Sequence, residues 1–204
     1  MNQPKFLFSV LFVFCLIGAG ASVSYGQQVE PSYDVSLQIV IGSNDAAAGR
    51  ADLPQNFSTI SRQLKSTFAF SNYRLAGTFL GRVYTAGSFE YKSLTNIFGQ
   101  ESDPRSQATF LDWSLNNFRT GTGAKGQQGF QAQAFRFGAR VPVVTGSFKD
   151  DSGKISSVVN YEPIGLTLER VGLPDNIPTL IGTLNLPGAG GTIFLVMTAK
   201  SADM

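Results

Sequence analysis

Apolar and polar residues alternate over most of this chain, and the alternation predicts a protein built mainly from β-strands. Side chains at every second position of a strand point to the same face. One face of the first strand is therefore expected to be buried, because its apolar residues are Val35, Leu37, Ile39 and Ile41. Further strand-like stretches cover 73–84, 89–94, 109–118, 130–145, 155–159, 165–171 and 192–200.

One segment has the spacing of a helix instead. Between Pro54 and Phe68, apolar residues recur three and four positions apart, while Arg62, Gln63 and Lys65 fall on the other side. Pro54 suits the first turn of a helix, where no backbone donor is needed. The whole pattern predicts an α+β fold, mainly antiparallel β, with one amphipathic helix packed on a β-sheet.

The N-terminal segment differs from the rest of the chain. A polar opening that contains Lys5 precedes a mostly apolar run over 6–17, and small residues follow. This is the pattern of a secretory signal peptide, so we expect residues 1–26 to be removed on export. Cleavage is expected after Gly26 or after Ala21. The mature protein is then periplasmic, associated with the outer membrane or secreted.

The remaining residues, 27–204, are expected to form a single exported β-rich domain. A division into sub-lobes 27–95 and 109–204, joined by a polar hinge at 96–108, is the alternative. After the leader, no apolar run approaches the roughly 20 residues that a membrane-spanning helix needs. We therefore expect no integral membrane helix in the mature protein.

The composition removes several classes of catalytic site. The chain has no histidine, and its one cysteine, Cys15, lies in the leader. The mature chain can therefore build neither a histidine-activated nucleophile nor an ordinary zinc site, and it can form no internal disulfide. With 15% charged residues and a net charge of +2, the full chain also lacks the basic surplus that binds nucleic acid. We expect no enzyme activity, no cofactor and no bound metal.

Two short segments partly match known motifs, one for dinucleotide binding and one for calcium binding, but lack the structural context or the ligands that those sites need. Gly121, Gly123 and Gly126 fit the G-x-G-x-x-G pattern, but a strand-like run rather than a helix follows them. A loop between strands is predicted there. The Asp-Asp-Ser-Gly-Lys segment at 150–154 lacks the alternating ligands of a calcium loop, and we predict a hairpin tip.

Carboxylates are the remaining candidates for catalysis, because an exported glycan-acting enzyme needs only two acids. Asp112 lies beside the only tryptophan, Trp113, but neighbours on a strand point to opposite faces. A carboxylate-dependent, glycan-acting envelope enzyme is one alternative function, and a small outer-membrane β-barrel is another. The acids in suitable positions are Glu90, Glu101, Asp103, Asp112, Glu162 and Glu169.

Aromatic residues mark a candidate interaction surface. In a continuous 130–145 strand, Phe130 falls on one face, and Phe135 and Phe137 fall on the other. Such a strand is apolar on both sides, which is typical of a central strand in a core. A surface that contacts protein or membrane is the alternative. The candidate interaction residues are Trp113, Phe130, Phe135 and Phe137.

The C-terminal part of the chain resembles the end of the secretin core. A glycine-led strand, a turn in which Gly182 follows Ile177-Pro178, and a final apolar strand that ends on threonine and a basic residue follow in the same order. Secretin cores are longer, carry membrane-facing hairpins and usually have proline where Ala199 stands. The stretch from Leu53 to Leu75 also resembles small exported bacterial proteins without assigned function. The secretin-like segments are Tyr161–Leu168, Ile177–Leu184 and Ile193–Lys200.

This resemblance implies a secretin-like or envelope-associated module rather than an activity. Together with the missing catalytic residue types, it leads us to expect an exported binding or structural module of the cell envelope that is not an enzyme. Its expected partner is another protein of the envelope. The sequence leaves the oligomeric state open.

Overall fold

The computed structural model describes residues 30–44, 53–98, 108–122, 126–149, 151–186 and 191–202. The predicted leader and its cleavage sites lie outside the described residues, as does most of the predicted hinge. A 3-10 turn at Gln55–Phe57 leads into helix α1, Ser58–Thr67. The strands are β1 Ser32–Ser43, β2 Asn72–Tyr84, β3 Gly87–Thr95, β4 Thr109–Thr122, β5 Gln128–Ala132, β6 Ala134–Lys149, β7 Ile155–Leu168, β8 Val171–Pro174, β9 Thr179–Leu186 and β10 Gly191–Ser201.

The strands form two antiparallel sheets, which we call the first and second sheet. The first has the order β2-β1-β10-β9, and the second has β7-β6-β4-β5-β8 with β3 on the free side of β4. Strands β1 and β2 thus share a sheet with β9 and β10, and the predicted sub-lobes do not correspond to separate sheets. The α+β fold class, dominated by antiparallel strands, is confirmed.

The larger core lies where the inner faces of the two sheets meet. Alternate residues of facing strands fill it, as the sequence pattern predicts. The largest fully buried side chains of this core are Trp113, Phe118, Phe135, Phe137, Leu37, Ile39, Leu111, Leu115 and Leu173. Burying one large apolar side chain stabilises the fold by about 1.5–3 kcal/mol.

Helix α1 covers the other face of the first sheet and creates a smaller core. Ile60 and Leu64 of the helix pack with Val40, Tyr73 and Phe194 of the sheet. The predicted amphipathic helix on a sheet is therefore confirmed, and no helix in the described part of the chain is long and apolar enough to cross a membrane. The face of β1 with Val35, Leu37, Ile39 and Ile41 is buried as predicted, and from residue 37 to 43 the opposite face is buried as well.

The tyrosine at the start of β2 closes the C-terminal end of this helix. The Tyr73 hydroxyl lies 3.0 Å from the carbonyl oxygen of Leu64 and 3.1 Å from that of Phe68. The Leu64 carbonyl oxygen also accepts the backbone N–H of Phe68 at 2.9 Å, so the single hydroxyl proton of Tyr73 adds a second bond there or is donated to the carbonyl oxygen of Phe68. Desolvation raises the pKa of Tyr73 and keeps the hydroxyl protonated.

A bulge in β2 changes which face its side chains occupy. Ile39 pairs with Gly77, whereas Val40 pairs with Leu75, which leaves Ala76 as the extra residue. Leu75 accordingly packs in the smaller core and Phe79 in the larger one. Unbroken alternation over 73–84 would place Leu75 and Phe79 on one face, and the bulge puts them on opposite faces because it reverses the alternation.

A second irregularity divides the predicted 130–145 strand into β5 and β6. Gln133 lies between them, and its N–H donates to the carbonyl oxygen of Asn116 at 3.0 Å. The even position Phe130 and the odd positions Phe135 and Phe137 therefore all enter the larger core. Their predicted placement on opposite faces is wrong, because it assumed unbroken alternation.

The turn at residues 85–88 joins two sheets instead of forming a paired hairpin. In the described residues, β2 pairs with β1 and β3 pairs with β4. Ala86 has a φ of 58°, and its N–H donates to the carbonyl oxygen of Phe118 at 2.6 Å. The predicted strand-like stretches 73–84 and 89–94 are thus both strands, but they belong to different sheets. Strand β9 was not predicted, because Pro178 immediately precedes it and Gly182 interrupts its pattern.

An ion pair joins β1 to β2 on the outer face of the first sheet. Arg82 Nε donates to Asp34 Oδ1 at 2.8 Å, and this bond holds the pKa of Asp34 below its ordinary value of 3.8. A carboxyl whose pKa falls on folding stabilises the protein above its unfolded pKa, and the contribution disappears as the pH falls through the folded pKa.

We therefore expect the stability difference between the wild type and Asp34→Asn to be constant from about pH 7 to 5 and to shrink below about pH 4. Urea unfolding across this pH range measures the difference. A difference that stays unchanged or grows at acid pH would contradict the assigned ion pair.

Candidate interaction surface

The four aromatic residues proposed from the sequence are buried in the larger core. Trp113 exposes 1% of its surface, Phe130 5%, Phe135 none and Phe137 1%. A side chain enclosed between two sheets has no face for a partner. The surface hypothesis for these residues is therefore corrected in favour of their alternative role in the core.

Trp113 packs against rings of the neighbouring strand β3. Its ring centroid lies 4.8 Å from that of Phe89 and 6.3 Å from that of Tyr91. Its buried indole Nε1 has no hydrogen-bond partner in the described chain. An unpaired buried donor costs about 1–3 kcal/mol, which offsets part of the gain from burying the large ring.

Because of this offset, Trp113→Phe is expected to change the free energy of unfolding by only about 1 kcal/mol or less. Chemical denaturation of both proteins provides the comparison. A loss of several kcal/mol would show that the indole N–H is satisfied in solution and that our account of this site is wrong.

The candidate carboxylates of the described chain are exposed and are not assembled as a catalytic pair. Asp112 lies on the outer face of the second sheet, opposite to buried Trp113, as the alternation predicts. Glu90 is held by Lys92 at 2.8 Å, and this hydrogen bond lowers the pKa of Glu90. A general acid needs the opposite shift. Glu162 and Glu169 are exposed, and residues 101 and 103 lie outside the described residues.

Both motifs with a site-like spelling lie between paired strands. Thr122 of β4 pairs with Gln128 of β5, so the glycine motif belongs to a hairpin; its residues 123–125 lie outside the described chain. Lys149 of β6 pairs with Ile155 of β7, so residues 151–154 lie at the predicted hairpin tip, while residue 150 lies outside the described residues. No group of three metal-ligating side chains occurs among the described residues.

A two-stranded extension of the second sheet is the exposed feature that the sequence did not reveal. Strand β4 pairs with β6 only as far as Arg140, whereas β6 and β7 remain paired to Lys149 and Ile155. We call residues 142–162 the distal ribbon. Within the described chain, the ribbon has no third strand beside it.

The ribbon carries apolar side chains on both of its faces. The register places Val144, Ile155, Val159 and Tyr161 on one face, and Val143, Phe148 and Val158 on the other. Five of them are strongly exposed: Val144 65%, Phe148 54%, Ile155 72%, Val158 41% and Tyr161 41%. In contrast, the core part of the same strand hides Phe135 and Phe137 and exposes polar residues.

Both backbone edges of the ribbon are open in the described chain. β7 pairs only with β6 along its whole length, and β6 beyond Arg140 pairs only with β7. An isolated two-stranded ribbon is at best marginally stable in water. Open edges with apolar faces are the features that another chain or an apolar phase covers. The ribbon is therefore suited to binding another chain or an apolar phase.

Comparison with solved structures finds secretins. The chain is similar to the β-barrel secretin domain of InvG from the Salmonella SPI-1 injectisome, with 13% identity and a TM-score of 0.34, over 96% of this chain and 68% of that one. The type II secretin GspD of enteropathogenic Escherichia coli gives 10% identity and a TM-score of 0.38, over 100% and 76%.

The type IV competence pilus secretin PilQ of V. cholerae gives 8% identity and a TM-score of 0.36, over 97% of this chain and 66% of that one. No family model and no curated protein matches the chain. These matching solved structures are thus secretins, the family that the C-terminal motifs resemble.

Proposed function

We propose that this chain is an exported, non-catalytic binding or structural module of the cell envelope. It associates with a protein assembly through the distal ribbon. The C-terminal segments that resemble the secretin core support an assembly of secretin type as the partner. The leader-like N-terminal segment supports export to the compartment where such assemblies reside.

The observation that carries this proposal is the two-sided apolarity of a ribbon whose edges are both open. A sheet that packs on one side needs apolar residues on one face only. Covering a residue such as Phe148 or Ile155 contributes about 1.5–3 kcal/mol before the loss of mobility on association is subtracted. Several such residues on one ribbon are sufficient for a specific interface.

Binding rather than catalysis is also supported by the state of the acids. The Glu90 carboxylate is engaged by Lys92, and Asp112 lies on an open sheet face instead of in a cleft. Glycan hydrolysis requires one carboxyl group with a raised pKa and a second one placed across the bond. Neither requirement is met by these two residues.

The proposal is tested by making the ribbon polar. Phe148→Ser combined with Ile155→Ser is expected to abolish chemical crosslinking to envelope proteins and to release the protein into the soluble fraction. The matched control is Leu80→Ser with Tyr84→Ser, which removes exposed apolar groups from β2. Strand β2 belongs to the first sheet, whereas the ribbon belongs to the second. The control variant is expected to behave like the wild type.

Thermal unfolding of each purified variant establishes that it remains folded. If the ribbon variant keeps every crosslink of the wild type, the distal ribbon is not the interface. If both variants lose their crosslinks equally, association depends on general surface apolarity and the proposal fails. If the protein hydrolyses a glycan substrate and Asp112→Asn or Glu162→Gln abolishes this activity, the protein is an enzyme and the proposal fails.

A further inference from the structure

We infer that the partner segment also docks on the outer face of the second sheet, where it presents an apolar side chain followed by a carboxylate. The site is a shallow groove lined by Lys92, Leu94, Phe110, Asp112 and Arg140, which we call the outer-face groove. This inference rests on the proposed function for the statement that the partner is a protein.

The floor of the groove is an apolar row on an otherwise polar face. Leu94 pairs with Phe110, and Phe110 pairs with Arg140 on its other side, so the three side chains lie side by side. Leu94 is 62% exposed and Phe110 49% exposed, although both belong to regular strands in the described chain. An apolar side chain laid across this row would cover both residues.

The groove is continuous with the distal ribbon. The ring centroids of Phe110 and Tyr161 lie 5.6 Å apart, and Tyr161 belongs to the ribbon through its pairing with Pro142. Apolar surface therefore extends from the ribbon through Tyr161 to Phe110 and Leu94. A partner that covers the face of the ribbon with Tyr161 can therefore extend into the groove over continuous apolar surface.

The charges around the groove favour a partner segment that presents one carboxylate. Lys92 is held by Glu90 at 2.8 Å, whereas Arg140 belongs to neither this ion pair nor the one between Asp34 and Arg82. Asp112 pairs in register with Lys92 and leans towards Gly138, where a Cβ would lie 2.8 Å from its Oδ1. Arg140 is thus left as the cation that can receive an anion.

The same charges argue against two other ligand classes. A polyanion would bring further negative charges against Asp112 and Glu90, whereas a single carboxylate at Arg140 lies across β4 from Lys92 and Glu90. The rings of Phe110 and Tyr161 meet at 67°, so they do not form the common flat platform on which a sugar ring stacks. An extended peptide fits better, since β3 is an edge strand beside the groove in the described residues.

The test uses the full mature chain and three short, blocked, fluorescein-labelled peptides of alternating threonine and valine. Their central pair is Leu-Glu, Leu-Gln or Leu-Lys. Fluorescence anisotropy is expected to show about fivefold tighter binding of the Leu-Glu peptide than of the Leu-Gln peptide. Arg140→Gln is expected to remove this preference. Arg136→Gln, on the same strand and the same exposed face, is expected to retain it.

Equal binding of the three peptides, absence of binding, or a preference that survives Arg140→Gln would overturn the inference. Tighter binding of a soluble chito-oligosaccharide than of any peptide would overturn it as well and assign the groove to a glycan. The envelope crosslinking of the ribbon variant is independent of these peptides. The ribbon interface can therefore hold while the outer-face groove fails, and the two failures are distinguishable.

Discussion

Phe137→Ala is expected to lower the free energy of unfolding by about 3–5 kcal/mol, because it removes a fully enclosed ring from the larger core. The same change at Phe148, further along the same strand β6, is expected to alter stability by less than about 0.5 kcal/mol. Phe137 is 1% exposed and Phe148 is 54% exposed. The expected difference therefore comes from burial and not from the residue type or the strand.

Urea unfolding of the wild type and both variants measures this difference directly. The pair also separates the two roles that the sequence left open for the aromatic residues of this strand. Equal destabilisation by the two substitutions would show that the ribbon is packed within the isolated chain. Our account of it as a free surface would then be wrong.

Phe194→Ala is expected to detach helix α1 from the first sheet, at a cost of about 3–5 kcal/mol. Phe194 is fully buried, and its ring centroid lies 4.8 Å from that of Phe68, 5.9 Å from that of Tyr73 and 6.1 Å from that of Phe70. These contacts link the end of the helix to the sheet. An isolated helix of this length is not stable in water.

Hydrogen exchange followed by mass spectrometry tests this prediction, because it reports on each segment separately. The amides of α1 are expected to lose protection in Phe194→Ala, while those of β4 and β6 retain it. Lys200→Ala, an exposed position on the same strand, serves as the control. Uniform loss of protection across both sheets would show that the helix and the larger core unfold as one unit.

The fold class could be predicted because it depends on local pattern. Alternation over Val35–Ile41 and the helical spacing over Pro54–Phe68 each report which side chains are buried, whatever they pack against. Local pattern fails where the chain inserts one residue. Ala76 and Gln133 each reverse the alternation, and no feature of their own sequence distinguishes them from ordinary strand residues.

The distal ribbon could not be predicted for a different reason. Residues 141–144 and 158–161 have the same apolar character as core strands, so composition does not separate exposed from buried segments. What exposes them is the end of pairing between β4 and β6 at Arg140, a contact between distant parts of the chain. The candidate aromatic residues are buried, and the structure places the exposed apolar residues beyond Phe137 on β6 and on its partner strand β7.

The central claim is that the ribbon is open in the isolated protein and covered in the envelope. Because Cys15 lies in the predicted leader, Ser157→Cys gives the mature chain a single thiol on the ribbon, and Ser66→Cys gives one on the exposed face of α1. Maleimide labelling is expected to modify both variants when purified, but only Ser66→Cys in intact envelopes. Equal labelling of the two in envelopes would contradict the account.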